Sequence, residues 1–574
     1  MEYLLQIALG PVQDFIASAR RSRDLFFGSF LLSELAKACA DSLSQNGATL
    51  IFPSVGSDLT PNGALNVSNV LLVRCSDPAR LAELARDAAI KRLSDLAMTT
   101  FANLAIIPNV PMAQIKDLLE FYWAAAPIDT NYAAARQLVG AALAARKNTR
   151  HFAPPTWSST AVKSSLDGAR ESVIAESNYP PRNATPVERT MFSRSLYDHF
   201  GVRIGERLCA VGLLKRRGEI PDLDGQTRAF VSSSHMAAMP LLERMNNLPD
   251  KKRLEAALTR FFSLGNAMGR HVLGRTAQHH SLLRHYDARV LYRDRLAEYL
   301  HGSQLEELQS SLGQVLAAAG VSQPLPYYAI LHADGDKIGK ALDGCQTAET
   351  HQDFSAVLSS FAGQVYSVVA AHGGSTVYAG GDDVLAMLPL HTAIACTAKL
   401  AQIFADLLKN YGSVGEQPTL SAGLVVVHHL EPLEDALNWA REAEKAAKNT
   451  YGRNALAITI AKRGGVNFTI GGHWDELDTM LEKFITMHLN DQIPDGAAYE
   501  LRHVSQRLTG LPVLQRAEAV RILTRKRSQR GTTALDPNLI ADLHTAINQT
   551  SLEEISNRLI AARLFAEAYR MVNP

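Results

Sequence analysis

From Tyr327 to Ile460 the chain is an ordered series of short apolar runs and helical periodicities, broken twice by glycine and aspartate. Tyr327–Ala333 (YYAILHA) is an apolar run ending in the polar turn Asp334-Gly335-Asp336, which predicts a buried strand. Asp353 to Ala371 places Phe354, Val357, Leu358, Phe361, Val365 and Val368 at helical spacing, and His372-Gly373-Gly374 stops the helix. Ser375–Ala379 and Val384–Leu388 flank Gly380-Gly381-Asp382-Asp383 and predict a hairpin. A helix from about Thr392 to Tyr411, a strand over Leu420–Val427, a helix over Leu433–Lys448 and a strand over Ala455–Ile460 complete the series. Strand, helix, strand, strand, helix, strand is the split βαβ order of a ferredoxin-like sheet.

That order serves polymerase palms and nucleotide cyclases, and it gives the two acidic motifs a chemistry. Asp334 closes one strand, and Asp382 and Asp383 follow two glycines at the tip of the neighbouring hairpin. Gly335, Gly380 and Gly381 carry no side chain, so phosphate and metal can come close to the backbone there. Three carboxylates drawn from distant sequence suit Mg²⁺ or Mn²⁺, which prefer hard oxygen ligands. Two such ions, roughly 3.5–4 Å apart, stabilise the attacking and leaving oxygens of an in-line phosphoryl displacement. The reaction expected is attack of a ribose hydroxyl on the α-phosphate of a nucleoside triphosphate, with pyrophosphate leaving. Glycine and aspartate also dominate ordinary turns, and either motif alone would read that way. Both together, each at a strand end and in palm order, favour catalysis. Asp336 is read as a cap on the turn Lys337-Ile338-Gly339. Lys448 complements a helix C-terminus or grips the triphosphate, and the sequence leaves both open.

A chain of 574 residues exceeds one core, and three or four domains are expected. A weaker echo of the series opens it: a strand over Tyr3–Leu9, helix to about Leu43, strands near Thr49–Phe52 and Asn69–Arg74, and a helix from Pro78 to about Phe101. Where the later series has Ala333-Asp334-Gly335-Asp336, this one has Leu9-Gly10-Pro11-Val12, so only the later palm can hold metal. The fold class is α+β. The expected divisions are 1–200 for a first palm with extensions, 201–320 for helices, 321–465 for the second palm, and 466–574 for a helical tail. With 58 basic and 57 acidic residues no global field advertises nucleic acid. Lys215-Arg216-Arg217 and the stretch Arg521, Arg525, Lys526, Arg527 and Arg530 could meet guide-RNA phosphates or a partner, although a solvated helix face is the plainer reading of each. Five scattered cysteines without a CxxC pair argue against zinc fingers and a disulfide framework and fit a reducing cytoplasm. No apolar run is judged long enough to span a bilayer, so no membrane is expected as partner.

Gly10-Pro11-Val12-Gln13-Asp14-Phe15-Ile16-Ala17-Ser18-Ala19-Arg20-Arg21-Ser22-Arg23-Asp24-Leu25 and Gly28-Ser29-Phe30-Leu31-Leu32-Ser33-Glu34-Leu35 resemble the first palm of the large subunit of type III-B (Cmr) CRISPR effector complexes. Lys163–Gly168, Leu208–Arg216, His332–Gly339 and Gly380–Asp383 extend that resemblance in order along most of the chain. It implies an RNA-guided antiviral complex in which this subunit, on target RNA binding, polymerises ATP into cyclic oligoadenylate. It implies metal-ligand roles for Asp334, Asp382 and Asp383, and a second nucleotide pocket in the first palm near Gly28 and Ser29. The implied partners are the other protein subunits, guide RNA and target RNA. Many relatives begin with an HD phosphohydrolase domain. No His-Asp dipeptide occurs in this sequence, so no HD nuclease activity is expected. A cysteine-rich zinc element, common in relatives, cannot form from Cys209 alone.

Three alternatives compete. The same donor chemistry could join AMP to S-adenosylmethionine, whose ribose also offers a hydroxyl. A silent scaffold could only organise RNA, but three mutually repelling carboxylates serve no purpose there. A free-standing cyclase of the GGDEF type would leave the first palm and the helical regions unexplained.

Overall fold

In the computed structural model the described residues are all but 55–66, 108–109, 130, 150–160, 222–230, 274, 413–415, 526–540, 542, 544, 546, 548–549 and 574. The N-terminal apolar alternation folds into a four-stranded antiparallel sheet of order β2-β3-β1-β4. Its strands are β1 (Tyr3–Gly10), β2 (Thr49–Phe52), β3 (Val70–Cys75) and β4 (Glu120–Pro127). Helix α1 (Ser22–Gln45) links β1 to β2, and α2 (Pro78–Phe101) follows β3. The strand and helix expectations hold here to within a residue or two, and β4 is an addition. Its alanines give little β signal, and as a half-exposed edge it lacks a full apolar alternation. The link between β2 and β3 falls largely on residues outside the description.

The middle of the chain is helical, with a small hairpin of β5 (Arg275–His280) and β6 (Arg284–Tyr286). Helix α3 (Ala210–Arg217) corrects an expectation. Lys215 and Arg216 do not form a solvated face: they are 1% and 2% exposed. Lys215 Nζ donates to the carbonyls of Phe15 and Ser18 at 2.5 and 2.7 Å, so the ammonium fastens the loop before α1. Arg216 forks onto Asp24 at 2.6 and 2.8 Å and reaches Glu206 at 3.2 Å. Asp24 also accepts from the backbone of Arg20 and Arg21, which fixes the start of α1. Lys526, Arg527 and Arg530 of the later basic stretch lie outside the described residues.

The second sheet has order β12-β11-β10-β7-β9-β8. It comprises β7 (Tyr327–Asp336), β8 (Ser375–Gly380), β9 (Asp383–Leu388), β10 (Thr419–His428), β11 (Ala455–Ala461) and β12 (Phe468–His473). Period-2 alternation divides its faces. Ala329, Leu331, Ala333, Val384 and Ala386 pack with α4 (Ala348–Ala371) and α5 (Ala393–Leu408), whereas Tyr328, Ile330, Leu385 and Met387 join the core shared with the first palm. Helix α6 (Leu433–Asn449) lies on β10 and β7. A Cβ on Gly423 would stand 2.2 Å from the Glu444 nitrogen, so glycine there lets helix and strand backbones touch. Helix α4 begins five residues before the expected Asp353, because Thr347 and Thr350 form a capping box ahead of the apolar stripe.

Beyond residue 465 the chain first adds β12 to the second sheet and only then becomes helical, ending in α7 (Leu552–Val572). The expectation about apolar length also needs correction. Helix α4, 24 residues long with mean hydropathy 1.4 in its most apolar window, is long and apolar enough to cross a membrane. Phe354, Phe361 and Val365 on it are buried against the sheet and α5, which accounts for that apolarity.

The Arg216 network predicts a stability effect. Removing the guanidinium leaves Asp24 without its ion pair and Glu206 with Arg21 alone, so Arg216→Ala should cost about 3–5 kcal/mol by denaturant unfolding at pH 7. Both carboxyls are held below the ordinary range despite burial, chiefly by Arg216. Their contribution is therefore complete above the ordinary carboxylate pKa and lost in acid, so the wild-type advantage should shrink below about pH 4.

Candidate metal and nucleotide site

Strand register builds the site. Ala333 lies opposite Val384, so the next positions out set Asp334 across from Asp383 and Gly335 across from Asp382. Since Ala333 and Val384 face α4 and α5, Asp334 and Asp383 both face the side of α6 and the first palm. The glycines are explained by close approach. A Cβ on Gly335 would lie 2.8 Å from the Asp382 Cβ, so this glycine admits the hairpin. A Cβ on Gly380 would meet the Tyr378 hydroxyl at 2.3 Å. Gly381 has φ +68°, the left-handed value expected at the first loop position of a type II′ hairpin. Its exposed side looks toward Phe52 Cζ, 3.9 Å from where a Cβ would be, so β2 of the first palm reaches the tip.

The charges are unbalanced. Lys448, from the last turn of α6, pairs with Asp334 and with Glu444 at 2.9 Å. Burial and then Arg453 pull its ammonium down to about 8, which still leaves it mostly charged at neutrality. Asp382 and Asp383 have no ion pair among the described residues. Burial lifts Asp382 above the ordinary carboxylate range, and burial with the charges of Asp382 and Glu444 lifts Asp383. Asp383 still reaches solvent, so the repulsion, which a cation would relieve, is the part that matters. Glu444 is raised to about 7 by burial and then by Asp336. His332, on the same face as Asp334, is pushed down to about 4 by burial and by Arg441, Lys448 and Lys445, so its ring is neutral.

The structure brings Asp334, Asp382, Asp383, Gly335, Gly380, Gly381 and Lys448 to one end of the sheet. No group of three acidic, histidine or cysteine side chains is gathered around a single point among the described residues. Asp334 is turned onto Lys448 instead, as electroneutrality favours. The two unpaired hairpin carboxylates remain a donor set suited to a hard divalent cation. Asp336 requires correction. It caps no turn: the helix after it has no side-chain cap, and its fully buried carboxylate accepts from Ser421 at 2.7 Å, Thr419 at 2.9 Å, the Asn454 backbone at 3.0 Å and Arg453 at 3.3 Å. It pins the 451–454 loop. Gly28 and Ser29 are inside the protein, on the helix that packs on β8, and Gly28 lies against Lys215 and Phe15. Sequence reasoning missed Glu444, although its i,i+4 spacing from Lys448 was visible, and it missed His332 two residues before Asp334.

Residues 4–138 match the family described as CRISPR-associated protein Cmr2, N-terminal, and residues 327–457 match Cas10/Cmr2, second palm domain. The CRISPR system Cmr subunit Cmr2 of Pyrococcus furiosus is 34% identical over 171 residues, an alignment covering 25% of this chain and 20% of that one. The match thus spans one fifth of that relative's length. Among solved structures, the type III-B Cmr-beta complex bound to cognate target RNA contains a chain with TM-score 0.63 at 13% identity, covering 93% of this chain and 79% of that one. The apo state gives TM-score 0.62 at 13% identity, with 93% and 78% covered. These two likenesses show a shared fold.

The charge imbalance predicts cation binding. Mn²⁺ should raise the melting temperature of the wild-type chain, by an amount growing with concentration as binding linkage requires, and should leave Asp382→Ala/Asp383→Ala unmoved. Because both carboxyls are held high, protons compete for them. The Mn²⁺ affinity should therefore fall as pH drops from about 8 to about 5, measured by the same melts or by titration calorimetry.

Proposed function

Because it carries both the Cmr2 N-terminal domain and the Cas10/Cmr2 second palm, the chain belongs to the Cas10/Cmr2 family as a large type III-B subunit, and on that premise we propose that it is a metal-dependent nucleotidyltransferase making cyclic oligoadenylate from ATP when target RNA is bound. The observation that supports this reading is that Asp334, Asp382 and Asp383 lie together at one end of the sheet, with two of the three lacking a cationic partner among the described residues. The 3′-hydroxyl of one nucleotide would attack the α-phosphate of the next, forming a phosphodiester bond and releasing pyrophosphate. Divalent cations, when bound, would supply positive charge for the triphosphate and acidify the attacking hydroxyl.

The chain's own residues do the rest. Asp382 and Asp383 would hold the cations at the hairpin tip, where Gly381 leaves the backbone open to phosphate. Asp334 would join them in holding a cation, and Lys448, released from that pairing, would reach the triphosphate. Glu444 offers that lysine a second partner and keeps it near. Asp336, fully hydrogen-bonded, would stay out of the chemistry and keep the 451–454 loop seated beside it. The other Cmr subunits, guide RNA and target RNA are the partners we assign. The fold shared with a chain of the Cmr-beta complex bound to target RNA supports that assignment, and with it we assign a cytoplasmic setting.

The assembled complex with ATP, Mg²⁺ and target RNA tests this, its products read by mass spectrometry with and without S-adenosylmethionine. Asp382→Ala/Asp383→Ala should lower product at least about 100-fold while the complex still assembles, and Asp334→Asn should be nearly as damaging. Unchanged turnover in the double variant would overturn the assignment. An AMP adduct formed only with S-adenosylmethionine would keep the site and change the acceptor.

A further inference from the structure

A second charged region lies at the other end of the same strands. A cavity of about 780 Å³ has Tyr328 of β7 and Met387 of β9 on its floor. Six residues of extended strand separate Tyr328 from Asp334, about 20 Å, so this cavity is distinct from the aspartates. Its other walls come from the loop entering α1, the end of α3, the middle helices and the start of α6.

Eight arginines line it, against four carboxylates. Those carboxylates do not balance the charge. Glu206 is shared by Arg21 at 3.1 Å and Arg216 at 3.2 Å. Arg203 and Arg295 both turn to one further residue, Glu298, at 2.6 Å each. Glu431 and Glu434 lie on the second palm's wall and pair with no arginine among the described residues. Arg20 and Arg217 likewise have no carboxylate partner among the described residues, and neither is needed by the buried Asp24–Arg216 network. Tyr197 and Tyr299 stand edge to face at 6.4 Å, with Arg21 over the first ring and Arg289 over the second.

From this geometry we propose that the cavity binds a compact phosphorylated nucleotide ligand, with Arg20 and Arg217 gripping phosphate and the tyrosine–arginine wall taking the base. Guanidinium forks match phosphate oxygens in pairs, and aromatic and guanidinium planes stack on any base. A cavity of this size, floored by a sheet, suits a nucleotide or the end of an RNA strand rather than a strand running through it. Like charges held together in a partly dry site call for an anion. Consistent with that, Arg21 and Arg23 are held below their ordinary values, first by burial and then by Arg216 and Arg217 respectively.

The test is fluorescence anisotropy with a 3′-labelled, 5′-phosphorylated adenylate dinucleotide and the full chain in EDTA, which silences cation-dependent binding at the aspartates. The wild type should bind, and Asp382→Ala/Asp383→Ala should bind equally. Arg20→Gln/Arg217→Gln should weaken binding at least about 10-fold with an unchanged melting temperature. Arg20→Lys/Arg217→Lys, keeping charge without the fork, should fall between. Inorganic triphosphate should compete. Tighter binding of ATP than of the dinucleotide would assign the site to free nucleotide, and the reverse to an RNA end. Absence of wild-type binding in EDTA, equal affinity in the glutamine variant, or loss in the aspartate variant would each overturn the proposal.

Discussion

Antiparallel register forces Asp334 and Asp383 into opposition, and the two-residue hairpin turn adds Asp382 beside them. Carboxylates so placed repel one another, and the fold supplies one ammonium, Lys448, which answers Asp334 and Glu444 and leaves the hairpin pair unanswered. Asp336 shows that the imbalance is selective. It lies two residues from Asp334 on the same strand face, yet it collects four donors and is fully buried, while the Asp334 side chain stays 30% exposed with an ammonium beside it. One aspartate is committed to the fold, and its neighbour holds a single ammonium with part of its side chain in solvent.

The first palm has the same strand order as the core of the second. Numbered within each unit, both sheets run 4-1-3-2. Without the acids it becomes a wall. Phe52 faces the Gly381 tip, Gln352 of α4 donates to the Leu50 carbonyl at 2.6 Å, and buried Tyr132 and His351 are hydrogen-bonded at 2.7 Å across the junction. Ion pairs also cross this junction, Arg136–Asp343 at 2.7 Å and Arg74–Glu349 at 3.8 Å, and each cancels its own charge.

Much of this was legible because period-2 and period-3.6 patterns are local. The hairpin around Gly380–Asp383, the strand ending at Asp334 and the amphipathic helix ending near Lys448 all declare themselves within a dozen residues. What escaped depends on distant partners. Asp336 read as a cap because its sequence neighbours offered nothing else, and its true donors come from residues 419–454. Lys215 and Arg216 read as a solvated face because charge ordinarily signals water. Asp24, Phe15 and Ser18, which bury them, lie nearly 200 residues earlier. Strand β4 went unseen because its pairing with β1, rather than its own alanine-rich sequence, makes it a strand.

Helix α6 ties the acidic end of the sheet to the arginine-lined one. Glu434 in its first turn borders the cavity, and Lys448 in its last turn meets Asp334. At Gly423 the helix backbone rests directly on β10, with no side chain between them to yield. The opposite wall of the cavity belongs to the loop before α1, fastened to α3 by Lys215, and α1 itself lies on β8, the hairpin's outer strand. A ligand held in the proposed cavity would therefore touch elements that pack directly on the strands carrying the aspartates, α6 on one wall and the first palm's seat on that hairpin on the other.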